Sequence, residues 1–159
     1  MIFPQDDCFD WTLAGKLSFS GQGLHTGIDA VLDLSPCEES GYWLWLNARW
    51  QKISPEMVTE TWLCTRLGGA LKDTGLQTVE HLLAALYGLG ISAVRIRCSG
   101  PEVPILDGSS QPFVDAILGV GIKALHSRRK QFCLQESLHW QWGEVLVNCQ
   151  PAEGLEIHY

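Results

Sequence analysis

The sequence predicts an α+β domain in which a sheet carries two helices packed on one face, a two-layer arrangement. Three observations predict it. Several short stretches alternate apolar and polar residues with a period of two, and two longer stretches repeat apolar residues with a helical period. The two kinds do not alternate regularly, as the βαβ units of a parallel sheet would.

Taken in order, Leu17 and Phe19 alternate with Lys16, Ser18 and Ser20, and beyond "GQGLHTG" (21–27) the period resumes at Ile28, Ala30, Leu32 and Leu34. This predicts a hairpin with a long loop bracketed by glycines. "YWLWLN" (42–47) predicts an aromatic strand, and Val94, Ile96 and Cys98 against Arg95 and Arg97 predict a half-buried one. Val79, Leu82, Leu83, Leu86 and Leu89 follow the i, i+3, i+4, i+7 pattern of a helix, with Thr78 as its N-cap and Gly88 or Gly90 as its stop. A second helix starts near residues 110–112 with Pro112 early, carries Phe113, Ala116, Ile117 and Val120, and ends near Gly119 or Gly121. Two last strands are expected, one on Val145, Val147 and Cys149, the other on Leu155, Ile157 and Tyr159. The expected organisation is a first domain over 1–127 and the opening of a second, cut off, over 128–159, with Arg128-Arg129-Lys130 as an exposed linker.

Composition narrows the function. The chain has 159 residues, 46% of them hydrophobic and 18% charged, which describes a globular protein with a sizeable core. A net charge of -7 argues against nucleic acid as a partner, because no broad Lys/Arg stripe is present to offset phosphates. No apolar run approaches the roughly 18 residues of a membrane span, and the acidic start, Met1 to Asp7, does not read as a secretory signal. The six cysteines form no C-x-x-C pair and predict reduced thiols, so the protein is expected in the cytoplasm.

"QTVEHLLAALYGLG" (77–90) sets Glu80 beside His81 at the start of an otherwise almost wholly apolar helix. Each is costly to bury without a partner. Two readings stand: an exposed acid next to a hydrogen-bonded imidazole, or a working pair in which His81 ligates a metal and Glu80 takes a proton from the water it activates. The positive end of the helix suits a carboxylate and a neutral imidazole. One His is not a zinc site, since catalytic zinc usually has three protein ligands, and His25, His126, His139 and His158 offer no H-x-x-x-H pair. "PEVPILDGSSQPFV" (101–114) is dense in Pro, Gly and Ser and predicts a loop of fixed shape leading into the second helix.

Three stretches, "GQGLHTG" (21–27), "LCTRLGGALKDTGLQTVEHLLAALYGLGI" (63–91) and "GPEVPILDGSSQPFVDAILGVGI" (100–122), together resemble the N-terminal half of the UDP-3-O-acyl-N-acetylglucosamine deacetylases, the LpxC family. The resemblance implies the first of two similar α+β domains with an active site between them. It implies a Zn2+-dependent amidase that removes the N-acetyl group of an acylated UDP-sugar, giving acetate and a free amine, the committed step of lipid A biosynthesis. His81 matches a zinc ligand and Glu80 the general base, while the family's remaining His and Asp ligands would lie beyond Tyr159. His25 matches a loop residue near the cleft, with loop stabilisation as the other reading. Cys64 matches a position on the cleft's edge, with simple packing as the other reading. The full-length protein is expected to be a monomer with a small-molecule substrate. The competing expectations are a non-catalytic half-protein serving as a binding or assembly module, and one half of a split enzyme.

Overall fold

The computed structural model describes residues 8–68, 75–130 and 132–158. Two compact units join between Arg129 and Lys130. The first runs β1 (Phe9–Leu13), β2 (Leu17–Gln22), β3 (Asp29–Pro36), β4 (Gly41–Leu46), β5 (Arg49–Lys52), β6 (Val58–Glu60), β7 (Arg66–Leu67), β8 (Leu76–Gln77), α1 (Glu80–Gly88), β9 (Ala93–Cys98), α2 (Gln111–Val120) and β10 (Ile122–Arg128).

Its main sheet has the order β2-β3-β9-β4-β5, parallel only between β9 and β4. Successive side chains on a strand point to opposite faces, so β3 buries Ala30, Leu32 and Leu34 and exposes Val31 and Asp33. Ile96 lies opposite Leu34 on one side and Leu44 on the other, which sets an aliphatic row across the three central strands. The two helices cover that row, as expected for an α+β fold. Leu82, Ala85 and Leu86 of α1 form its buried stripe, and Leu89 continues it past the helix end. The chain then turns at Gly90, at φ 71. Helix α2 has Pro112 in its first turn, buries Phe113 and Ile117, and stops at Gly121, whose φ of 83 suits a residue without Cβ. Phe113 meets Phe19 of β2 edge to face, centroids 5.0 Å apart.

Part of the sheet's other face packs Ala93 with Cys37, with Leu125 of β10 and with Trp43. Elsewhere on that face Trp45 and Trp50 meet at 5.1 Å, with Arg97 over the first ring and Arg95 over the second, so these tryptophans and arginines hold one another. Strands β1 and β10 pair antiparallel, and Asp10, where the register shifts between Phe9 and Trp11, is fully buried, accepting hydroxyl hydrogen bonds from Ser40, Ser92 and Ser127. β6, β7 and β8 form a small separate sheet that leads into α1. No helix among the described residues is long and apolar enough to cross a membrane.

The second unit holds the antiparallel hairpin β11 (Leu138–Trp142) and β12 (Val145–Cys149), closed by a two-residue turn in which Gly143 has φ 59. The strand expected at Val145 to Cys149 is present, but it pairs backwards with β11. The strand expected on Leu155 and Ile157 is absent: residues 155–158 have alternation and no pairing partner, and Tyr159 lies outside the described residues. Alternation without a neighbouring ladder does not make a strand.

Phe113→Ala, at a fully buried site packed on Phe19, is expected to cost about 3–5 kcal/mol in urea unfolding, whereas exposed Leu118→Ala stays within about 0.5 kcal/mol. Tyr42 donates its hydroxyl to the Ile91 carbonyl at 2.8 Å, and burial pushes its pKa from 10.0 up to about 12, against the lowering charge of Arg129. The unfolded chain releases that proton first, so stability falls as pH rises from 10.0 to about 12. Tyr42→Phe is expected to flatten that part of a stability–pH curve.

Candidate active site

Helix α1 begins at Glu80, and Glu80 and His81 are both half-buried. An oxygen of the Glu80 carboxylate accepts the backbone N–H of Thr65. Thr65 follows Cys64, which is half-buried, so the stretch before β7 lies against the helix start. This places Cys64 next to the residue that holds Glu80.

Thr78 is not the N-cap. It sits at φ 57, a left-handed conformation that a β-branched residue rarely adopts, and Val79 takes the capping position with no side-chain cap bond. The Thr78 hydroxyl is engaged elsewhere, donating to Oε1 of Glu102 at 2.7 Å. The local sequence could not show that a residue 24 positions away competes for this hydroxyl.

The "GLHTG" loop between β2 and β3 is closed by Gly23 N–H to the Ile28 carbonyl at 3.0 Å and Gly27 N–H to the Gly23 carbonyl at 3.0 Å. Its inner side faces Glu102. The backbone N–H of His25 donates to both carboxylate oxygens, at 3.0 and 3.2 Å, and the N–H and hydroxyl of Thr26 each donate to Oε2 at 2.8 Å. His25 therefore braces the loop through its backbone, while the residue as a whole is exposed. Glu102 is fully buried. Burial raises its pKa, but the Thr78, His25 and Thr26 donors outweigh this and hold the carboxyl below its ordinary value.

Asp107 lies farther along the same segment and is exposed. The N–H and hydroxyl of Ser109 donate to Oδ1 at 2.9 and 2.8 Å and hold its carboxyl below the ordinary range; the charge of nearby His81 adds to this. The fold thus gathers the three motif stretches around the start of α1. Among the described residues no group of three or more His, Cys, Asp or Glu is placed to hold a metal ion. His81 fits one place in a coordination set, and the described residues do not complete it.

The family model described as UDP-3-O-acyl N-acetylglycosamine deacetylase matches residues 10–159. The chain belongs to this family. The UDP-3-O-acyl-N-acetylglucosamine deacetylase of Thermosynechococcus vestitus is 39% identical over 153 residues, covering 93% of this chain and 53% of its own. Its counterpart in Citrifermentans bemidjiense is 37% identical over 164 residues, covering 100% and 51%, and that in Anaeromyxobacter dehalogenans 34% over 151 residues, covering 93% and 48%. The chain spans about half the length of the curated relatives it matches.

Sequence reasoning took neither Glu102 nor Asp107 as a site residue. A signal was available for Glu102: a lone carboxylate in "PEVPIL", between two prolines and otherwise apolar residues, has a side chain that must be satisfied by something distant.

A Cβ on Gly23 would lie 2.2 Å from Oε2 of Glu102 and 2.6 Å from the Thr26 hydroxyl, and hydrogen bonds pin both groups. Gly23→Ala is expected to destabilise the chain by about 1–3 kcal/mol. Gly88→Ala, at a helical position with open space around it, serves as the control in the same urea titration.

Proposed function

We propose that this chain supplies the half of a zinc-dependent deacetylase that carries its general base and one metal ligand. The reaction is hydrolysis of the N-acetyl group of UDP-3-O-acyl-N-acetylglucosamine to acetate and a free amine, in lipid A biosynthesis. The observation that carries this reading is the placing of Glu80 and His81 at one helix start, with Glu80 held by the Thr65 N–H, in a chain that belongs to the deacetylase family. Cys37, Cys64, Cys98, Cys133 and Cys149 are free thiols, which suits a reducing compartment, and we place the enzyme in the cytoplasm as a monomer.

His81 would ligate the zinc through an imidazole nitrogen, and the other ligands would come from the part of the relatives' length that this chain does not span. When bound, Zn2+ supplies Lewis-acid polarisation and eases deprotonation of water. The chain's own part is proton handling. Glu80 takes the proton of the water whose oxygen bonds to the acetyl carbon, and as the C–N bond breaks a proton is returned to the departing nitrogen, freeing acetate and the sugar amine. The Thr65 N–H fixes one carboxylate oxygen and so sets the direction of the other. Cys64 and His25 line the site, Cys64 through its neighbour Thr65 and His25 on the loop braced by Glu102.

The test is amine release from UDP-3-O-acyl-N-acetylglucosamine by the natural full-length protein. Glu80→Ala is expected to lower kcat by about 10²- to 10⁴-fold with zinc content retained, and His81→Ala to lose zinc and activity together. Undiminished turnover in Glu80→Ala, or an inactive parent, overturns the reading.

A further inference from the structure

Residues 101–105 are tied to the fold on two sides. Gln77 of β8 donates its N–H to the Pro101 carbonyl at 3.0 Å and accepts the Val103 N–H at 3.1 Å, and Ile105 donates to the carbonyl of Gln22 in β2 at 3.0 Å. The backbone of Glu102 is therefore fixed before its side chain makes any contact. Pro101 and Pro104 flank it and limit what that backbone can do.

From this mount the side chain reaches into the protein and receives five hydrogen bonds. They come from two segments. Oε2 takes the Thr26 N–H and hydroxyl and the longer His25 contact, while Oε1 takes the shorter His25 contact and the Thr78 hydroxyl. An anion buried without a salt bridge stays ionised only through such donors, so loop and turn must both be in place for either to be satisfied. Thr78 gains the converse benefit: a left-handed β-branched residue persists only where its surroundings over-determine it.

We propose that Glu102 is a positioning residue for the deacetylase. Its carboxylate locks the His25 loop and the Thr78 turn, from which Glu80 and His81 are launched, into one register. This deepens the function proposed above and rests on it. The role requires no contact with substrate. Release of Thr78 would let its backbone return toward negative φ and swing the first turn of α1, and a displacement of about 1 Å at a reacting group can cost on the order of 10²-fold in rate. A carboxylate is required because both of its oxygens face backbone N–H groups, which can only donate. Glutamine has the same size, but in either orientation its NH2 would face the N–H of His25 or Thr26, although the threonine hydroxyls could turn to accept.

The test compares full-length parent, Glu102→Gln and Thr78→Val, each assayed well below its own unfolding midpoint. Thr78→Val keeps the size and branching of the side chain and removes a single donor. Both variants are expected to fold and retain zinc, with kcat about 10- to 100-fold lower and KM near parental, the mark of a misplaced reacting group. With 13C-labelled histidine, the imidazole resonances of His25 and His81 are expected to shift together in each variant, while that of His126 on β10 stays put. A shift at His25 on Thr78→Val is the decisive sign, since in the structure the Thr78 hydroxyl reaches that loop through Glu102. Parental kcat with unshifted His81 in a folded variant overturns the proposal and reduces Glu102 to a stability element. Should Glu102→Gln fail to fold, Thr78→Val alone decides by the same criteria. An inactive parent would sink the deacetylase reading, and the paired resonance shifts would still decide whether Glu102 couples the two segments.

Discussion

Burying a carboxylate with no salt-bridged cation constrains everything within reach of it. Among the described residues Glu102 is satisfied by N–H and O–H groups alone, and the chain must deliver them from the loop after β2 and the turn before α1. Much local sequence follows from that demand. Gly23 has no Cβ because one would collide with Oε2, Thr26 supplies a hydroxyl as well as an N–H, and Thr78 accepts an unfavourable φ of 57 to present its own hydroxyl. The backbone bonds of Gln77 to Pro101 and Val103 bring the third motif stretch to the same point. Three segments far apart in sequence become one object because one charge has to be paired.

The core does a different job. Leu82, Ala85 and Leu86 press α1 against the row formed by Leu34, Ile96 and Leu44, and each large aliphatic side chain there is worth about 1.5–3 kcal/mol by burial. Hydrogen bonds to a charged group are of similar worth, about 1.5–3 kcal/mol each, but at Glu102 the cost of burying the charge is set against them. The aliphatic stripe sets where α1 lies and which side faces inward. It does not set how the chain enters the helix, because a stripe of apolar contacts is non-directional. Entry is fixed by directional groups: the Thr78 hydroxyl on Glu102 and the Thr65 N–H on Glu80.

Legibility of the sequence divides along the same line. Strands β2, β3 and β9 were readable from residues that alternate along them, β4 from its run of aromatic and aliphatic residues, and both helices from apolar residues recurring at helical spacing. Strand β1 was not, because its pattern is inverted: polar Asp10 and Thr12 are buried, satisfied by serines and by the Cys37 N–H. β7 and β8 have only two residues each, too few for any period. Leu155 and Ile157 mislead in the opposite way, with a period and no partner. Glu80 and His81 stood out against an apolar helix, and His25 stood inside a bracket of glycines. Glu102 and the true role of Thr78 were hidden because they depend on each other across 24 positions, and no window of local sequence contains both.

Three carboxylates near the start of α1 show how environment separates groups of the same chemistry. Glu102 is fully buried with both oxygens occupied by donors, so protonating it would break bonds that hold two segments together; it is the least suited of the three to pass a proton. Asp107 is exposed, and its Oδ1 accepts both groups of Ser109, whose hydroxyl oxygen in turn accepts the Gln111 N–H at the opening of α2. It is tied to a helix start and reaches His81 only through its field. Glu80 is the intermediate case, half-buried, with the Thr65 N–H on one oxygen and His81 as its neighbour in the chain. The general base proposed at Glu80 must be held in one direction and still be able to accept and release a proton, and partial burial with the Thr65 backbone anchor suits both needs. The same reasoning makes the anchor matter more than its single hydrogen bond suggests. If the Thr65 stretch moved away, Glu80 would keep its place on the helix but lose the direction that the proposed base requires.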